Sequence, residues 1–365
     1  MTRPEYIFCH LLNDYSGSPK MLRAMITASR AVRSGSTIIT SESEGFLSDL
    51  DERYLTFKYK KGGARLPWAV RYLRAHIAML WLVARAIKNA RSRQSKPVVV
   101  CNTHLVWPSA LLAYCMGERV VWYVHETSLR PKLLSWMMRR SRQITSHLSI
   151  FPSEFLWQRE SSQNRLTVVV PNCLDPEFTN SLGWSCSHKK RQALFVGSLV
   201  FYKGFKRLCQ IARNCTEVTF IAALSNTAEE IAEHLASHGH LPANLKIYSR
   251  PKNLRYLYAE SLVVMNLTDT FHWLETFGLT ILEGMSQGCF FVAPEDGGHR
   301  EFCDLGEGLL VKAEDTARIA QYIIDVAAQG DAGGHKCSSK NRGIAMHYSF
   351  EEYQRSLNSV LTKNL

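Results

Sequence analysis

The chain has 365 residues, 46% of them hydrophobic, enough to bury two ordinary cores, so two domains are expected. The formal charge of +12 is carried entirely by one half: residues 1–185 hold 25 Lys and Arg against 13 Asp and Glu, whereas residues 186–365 hold 19 of each. No apolar run approaches the ~20 residues of a spanning helix, the most apolar being Ile77 to Ala84, which excludes an integral membrane protein of the helical kind.

In chain order, Met1-Thr2-Arg3-Pro4-Glu5 leads straight into a strand-like Tyr6–His10, without the apolar core and cleavage site of a secretory signal. Further strands are predicted at Thr37–Thr40, Val98–Asn102, Val120–His125, Leu148–Phe151 and Leu166–Val170. Between them lie helical patterns at Pro19–Arg33, Pro67–Ala90, Pro108–Met116 and Lys132–Arg142. That alternation is the pattern of a parallel sheet with crossover helices. Pro171–Pro176 breaks the rhythm, and the polar, aperiodic Trp184–Arg191 is read as the interdomain linker.

A second alternating series follows. Its strands are predicted at Ala193–Val196, Val218–Ala222, Leu245–Tyr248, Val263–Leu267 and Phe290–Ala293. Its helices are predicted at Phe205–Ala212, Thr227–His238, Asn253–Ala259, Leu279–Gln287 and Asp315–Ala328. Gly330–Gly334 reads as a flexible break, and Phe350–Leu361 carries apolar residues at a helical period. The expected organisation is α/β: residues 1–183 and 184–346 as two Rossmann-like domains, then a C-terminal segment, 347–365. Ten cysteines without a C-x-x-C pair or a Cys/His cluster read as reduced core residues of a cytoplasmic protein, not as a zinc site.

The most informative chemistry lies in Glu275-Thr276-Phe277-Gly278-Leu279-Thr280-Ile281-Leu282-Glu283. Phe277-Gly278-Leu279 reads as a tight turn opening a helix, whose first N–H groups form an anion cradle between the two carboxylates. Such a line suits a sugar diphosphate nucleoside, with the sugar at Glu275, the phosphates at the helix start and the ribose at Glu283. A capped surface helix with two solvated glutamates is the alternative from this segment alone.

Adjoining it, Cys289–Ala293 reads as a buried strand, followed by Pro294-Glu295-Asp296-Gly297-Gly298-His299-Arg300-Glu301. The block from Glu275 to Glu301 resembles the donor-site signature of family-4 glycosyltransferases: Glu-x7-Glu, a buried strand and Gly-Gly-x-x-Glu. The resemblance extends over nearly the whole chain. It implies the GT-B architecture, two Rossmann-like domains facing a central cleft, with the C-terminal helix returning to the N-terminal domain.

Other segments acquire expected roles through that resemblance. Gly197-Ser198 with Lys203-Gly204 resembles the family's Gly-Arg-x4-Lys-Gly motif, so Gly197 and Lys203 are expected at the diphosphate. Ser198 stands where the family has an Arg, and Arg250 is the candidate substitute. His125, at a strand end, matches the family's histidine beside the donor sugar and joins Glu275 as the expected catalytic pair. Gly17 matches a small-residue loop near the phosphates, and His104 is a candidate for the acceptor pocket. Phe277, Gly278, Leu279, Thr280 and Glu283 complete the expected donor set. Without such context, Lys203 reads as a surface lysine after a turn, and a hydrogen-bonded strand-end histidine is the alternative for His125.

There is no Gly-x-Gly-x-x-Gly after the first strand, no Walker A lysine and no strand-end Asp-x-Asp. Neither a cofactor nor a metal is expected. The resemblance implies a retaining, metal-independent hexosyltransferase using a nucleotide-sugar donor. A glycan or polyprenyl-diphosphate-linked acceptor and bacterial surface polysaccharide biosynthesis are the expected setting. The basic first half suggests an anionic partner; the apolar stripe of Pro67–Ala90 reads first as core packing, and its Arg rows over 65–93 with Arg130–Arg142 offer a surface for an anionic membrane as the second reading. The alternatives are a nucleotide-sugar epimerase or phosphorylase of the same fold, a catalytically silent scaffold, or a nucleic-acid-binding protein. The last lacks aromatic-basic interleaving and any recognised module, so no nucleic acid is expected.

Overall fold

The computed structural model describes residues 3–59, 67–127, 131–161, 165–179, 189–236, 240–329 and 337–365. The chain divides into two compact units, Met1–Cys173 with Phe350–Leu365, and Leu174–Ser349. Their border at Cys173 precedes the expected linker, of which residues 184–188 lie outside the described residues, as does the break at 330–334.

The first unit runs β1 (Glu5–Cys9), α1 (Gly17–Ala28), β2 (Gly35–Ser41), β3 (Arg53–Phe57), α2 (Trp68–Ser92), β4 (Pro97–Asn102), α3 (Trp107–Cys115) and β5 (Arg119–Tyr123). It continues with α4 (Lys132–Thr145), β6 (Leu148–Phe151), α5 (Glu154–Glu160) and β7 (Thr167–Val169). Its sheet is parallel, in the order β3-β2-β1-β4-β5-β6-β7. The order reverses between β1 and β4, and such a reversal leaves a crevice at the carboxyl ends of the strands. The strands β1, β4 and β6 are buried along their whole length because helices cover both faces.

The second unit contains α6 (Pro176–Thr179), β8 (Lys190–Gly197), α7 (Phe205–Asn214), β9 (Thr219–Leu224), α8 (Ala228–Ala236), β10 (Leu245–Ser249), α9 (Leu254–Glu260) and β11 (Ser261–Met265). After these come α10 (Leu279–Ser286), β12 (Phe290–Ala293), α11 (Arg300–Cys303), β13 (Gly308–Leu310), α12 (Thr316–Ala328) and α13 (Ser339–Met346). Its parallel sheet has the order β10-β9-β8-β11-β12-β13, with the same reversal between β8 and β11.

The last helix, α14 (Phe350–Asn364), belongs to the first unit, as the resemblance implied. Tyr353, Leu357 and Leu361 are its buried face. Gln354 and Asn358 donate to the Ala28 carbonyl at 3.3 and 3.1 Å, and Tyr353 Oη donates to Tyr123 Oη at 3.3 Å.

Several details depart from the sequence reading. β3 and β13 were not anticipated; both are edge strands, and β3 is only partly buried, so neither shows a continuous apolar run. Arg142, read as part of a surface basic row, is 2% exposed: it donates to the Glu160 carbonyl and lies 3.8 Å from the Glu160 carboxylate. Cys337 is disulfide-bonded, which corrects the all-reduced expectation at that position.

Candidate functional site

In the second unit the loops after β8, β11 and β12 converge on one carboxylate. Lys203, in the turn after β8, places Nζ 3.1 Å from Glu275 Oε2, and Asn266, just beyond β11, donates to the same oxygen at 3.3 Å. Burial alone would raise the Glu275 carboxyl. The Lys203 ammonium, the Asn266 amide and nearby His299 outweigh it and hold the group below the usual carboxylate range. Lys203 and Glu275 remain 26% and 21% exposed, so both ions can be reached from solvent.

Glycines allow the close approach. Gly204 has φ +91°, and a Cβ there would lie 2.4 Å from the Leu267 carbonyl oxygen. Gly278 has φ +92° and caps α10; a Cβ would lie 2.6 Å from His299 Cβ. The Gly298 N–H donates to the Glu275 carbonyl at 2.8 Å, tying the glycine turn after β12 to the Glu275 backbone. The first N–H groups of α10 have no carbonyl within the helix and form its positive end. Gly278→Ala is expected to cost about 1–3 kcal/mol from backbone strain alone, more with the His299 clash, and to lower the melting temperature. An unchanged melting temperature would show that the turn relaxes freely.

The remaining donor candidates separate in character. Glu283 lies one turn into α10, is 4% exposed and accepts from Tyr258 Oη at 2.8 Å. Phe277 is 2% exposed and packs on Phe302 and Tyr348, so its side chain belongs to the core and only its backbone can face a ligand. Leu279 and Thr280 are half-buried at the helix start. The Gly197 carbonyl accepts from the Ser225 N–H at 2.9 Å, and Arg250 donates through Nε to the Ser225 carbonyl at 3.0 Å. Arg250 therefore closes the loop after β9, two strands from β11, at φ +44°. A pocket of about 370 Å³ nearby is lined by Asp269, Glu295, Asp296 and Glu314 against a single Lys312. Two of these carboxylates, Asp269 and Glu314, are paired with Arg207 at 3.2 and 2.7 Å, so the lining is a mixed polar surface suited to hydroxyl-bearing groups.

In the first unit Asn102, at the end of β4, is fully buried and joins two histidines. Its Nδ2 donates to the Ser18 carbonyl at 3.1 Å and contacts His10 Nδ1 at 3.0 Å, while Oδ1 lies 2.9 Å from His125 Nε2. The Ser18 carbonyl can only accept, which fixes the amide orientation, so His125 carries its proton on Nε2 and His10 accepts at Nδ1. Burial pushes His125 down to about 4 despite the Glu126 carboxylate, so the ring is neutral at pH 7. Thr103 follows at φ +76°, an uncommon conformation for a β-branched residue that turns the chain sharply after Asn102. Sequence reasoning missed Asn102 as a functional candidate; a lone polar residue closing a Val-Val-Val-Cys run was its only signal.

The His104 ring is 1% exposed, receives a hydrogen bond from Arg142 Nε at 3.2 Å and lies 3.6 Å from Glu126, so it is part of a buried polar network. Gly17 is exposed at the first position of α1, where the Asp14 carboxylate accepts from the Ser16 N–H at 3.0 Å.

Two parallel α/β Rossmann-like units with the final helix in the first define the GT-B architecture of glycosyltransferases. Residues 184–342 match the family model "Glycosyl transferases group 1", which supports a glycosyltransferase. The fold is shared with HepE of Anabaena, solved in complex with UDP and glucose (16% identity, 98% of this chain and 99% of that one, TM-score 0.74). It is shared also with sucrose-phosphate synthase of Thermosynechococcus elongatus (14%, 99% and 99%, 0.74) and the lipopolysaccharide outer core galactosyltransferase WaaB (12%, 99% and 100%, 0.67). No protein of curated function matches the chain in sequence.

Proposed function

We propose that the protein is a retaining glycosyltransferase of the family-4 type. It would move a hexose from a nucleotide sugar to a glycan or lipid-linked acceptor in bacterial surface polysaccharide synthesis. The observation that carries this reading is the Lys203–Glu275–Asn266 cluster beside the start of α10. Lys203 neutralises the diphosphate with the helix N–H groups, and the Glu275 carboxylate accepts from sugar hydroxyls. HepE, which shares the fold and was solved with UDP and glucose and with UDP-glucose, supports a nucleotide-sugar donor and makes UDP-glucose the first probe.

The bond between anomeric carbon and leaving phosphate breaks on the face where the acceptor oxygen attacks. The phosphate oxygen takes the acceptor's proton, so configuration is retained without a covalent intermediate. Charge on the leaving diphosphate is stabilised by Lys203 and backbone N–H groups, an electrostatic role. His125, neutral and protonated on Nε2 through Asn102, is assigned to the donor sugar, and Gly17 to the phosphates. Glu283 is assigned to the ribose, with Tyr258 orienting it. Ser198 leaves one charge-assisted hydrogen bond, about 1.5–3 kcal/mol, to be supplied by other groups.

A thermal-shift panel of nucleotide sugars in EDTA tests this. At least one should raise the melting temperature, and transfer with that donor should persist in chelator. No stabilisation by any donor, or activity lost in EDTA and rescued by magnesium or manganese, would contradict the reading. Turnover without acceptor would indicate the epimerase alternative.

A further inference from the structure

On α4 the burial of residue types is inverted. Its inward face is Ser135, Met138, Ser141, Arg142 and Thr145, whereas Leu133, Trp136, Met137 and Ile144 are turned outward. Leu133 and Trp136 are 70% and 62% exposed. The polar inward face is explained by the network it meets: Arg142 on His104 and Glu160, Thr145 Oγ1 accepting from Trp122 Nε1 at 3.1 Å. Nothing among the described residues of the first unit explains the apolar outward face.

α2 carries a matching ridge. Leu73, Ile77 and Trp81 recur every four residues and are 60%, 60% and 63% exposed, with Arg74, Arg85 and Lys88 exposed along the same side. The Arg85 guanidinium lies 5.5 Å from the Trp81 ring. α3 packs against both α2 and α4, so the two ridges stand on one helical layer. Across the three helices there are nine Lys and Arg and no Asp or Glu. No helix among the described residues is long and apolar enough to cross a membrane.

We propose that the outward ridges of α2 and α4 insert shallowly into an anionic lipid surface. Leu, Ile and Trp side chains would enter the headgroup boundary, while Arg74, Arg85, Lys88, Lys132 and Arg140 meet the phosphates. Charge selects this occupant. A second copy presenting the same carboxylate-free face would meet cations with cations, whereas an anionic leaflet is complementary. The inference deepens, and rests on, the reading of a membrane-presented acceptor. It also alters the expected determinants: Arg142 is inside the fold, Arg139 is bound to Glu160 at 2.6 Å, and apolar contact supplements charge.

Flotation of the full chain with vesicles decides it. The protein should float with an equal mixture of phosphatidylcholine and phosphatidylglycerol, and part of it should stay bound when salt is raised. Combining L73S, I77S and W81S should lower the partition coefficient roughly tenfold or more at an unchanged melting temperature, since all three side chains are exposed. L133S with W136S should act in the same direction. Equal flotation of parent and variants, no flotation of the parent, or loss of a dimer in sedimentation as the effect of these substitutions would each overturn the proposal. Nucleotide-sugar binding by the same variants reports separately on the proposed reaction, because it needs no lipid.

Discussion

Replacing Glu275 with glutamine is expected to lower kcat by roughly a hundred- to a thousandfold, about 2.7–4 kcal/mol of transition-state stabilisation, while nucleoside diphosphate binding persists. The reason is the position of one oxygen. Glu275 Oε2 lies within hydrogen-bond reach of both Lys203 and Asn266, and those groups with His299 hold the carboxyl below its usual range. A folded-state value below the unfolded one keeps the carboxylate ionised at neutral pH and loses it only as pH falls through that lowered value. The acid limb of kcat/KM in the parent should therefore lie below the ordinary glutamate range, and the residual activity of the variant should lack that limb. Stability should change little, because both members of the ion pair are partly exposed and such pairs contribute about 0–1 kcal/mol. Unchanged kcat in a folded variant would remove Glu275 from the chemistry.

The donor cluster was legible because its parts are local. Glu275, Gly278 and Glu283 sit in one short segment, and a glycine before a helix start can be read from spacing. The structure supplies the steric reason: a Cβ at Gly278 or Gly297 would run into His299. The meeting of Lys203 with Glu275, 72 positions apart, is fixed by the β8–β11 pairing and was available only through the family pattern.

The first unit was read less well, for a consistent reason. The hydrophobic pattern of Lys132–Thr145 is apolar on several sides, so it could not say which side faces inward. The buried face proved to be the one with serines, Thr145 and Arg142. His104 and His125 both follow the end of a strand, and sequence alone treats them alike. Asn102 holds His125, whereas Arg142 and Glu126 enclose His104. These partners are distant in sequence and none is apolar, so periodicity is blind to them. Edge strands failed for another reason: β3 buries so little that no apolar run marks it.

Lys203→Ala should weaken nucleoside diphosphate and intact nucleotide sugar alike, by roughly 10- to 150-fold for the loss of about 1.5–3 kcal/mol in a charge-assisted contact. Both ligands share the diphosphate, and among the described residues Lys203 is the cation paired with Glu275. With Ser198 in place of the family's Arg, less remains to compensate, which places the expectation toward the upper end. A second consequence separates this role from simple loss of a surface lysine. The Lys203 ammonium is the leading influence lowering the Glu275 carboxyl, and burial, which raises it, remains after the substitution. The Glu275 value must then rise, so the acid limb of residual activity should move to higher pH. Lys203→Arg should restore part of the diphosphate affinity and move the limb back, since a guanidinium keeps the charge. Calorimetric titration with the free nucleoside diphosphate, alongside a pH–rate profile, reads both effects. A defect confined to intact donor, or an acid limb that stays in place, would show that Lys203 neither holds the diphosphate nor sets the charge of Glu275.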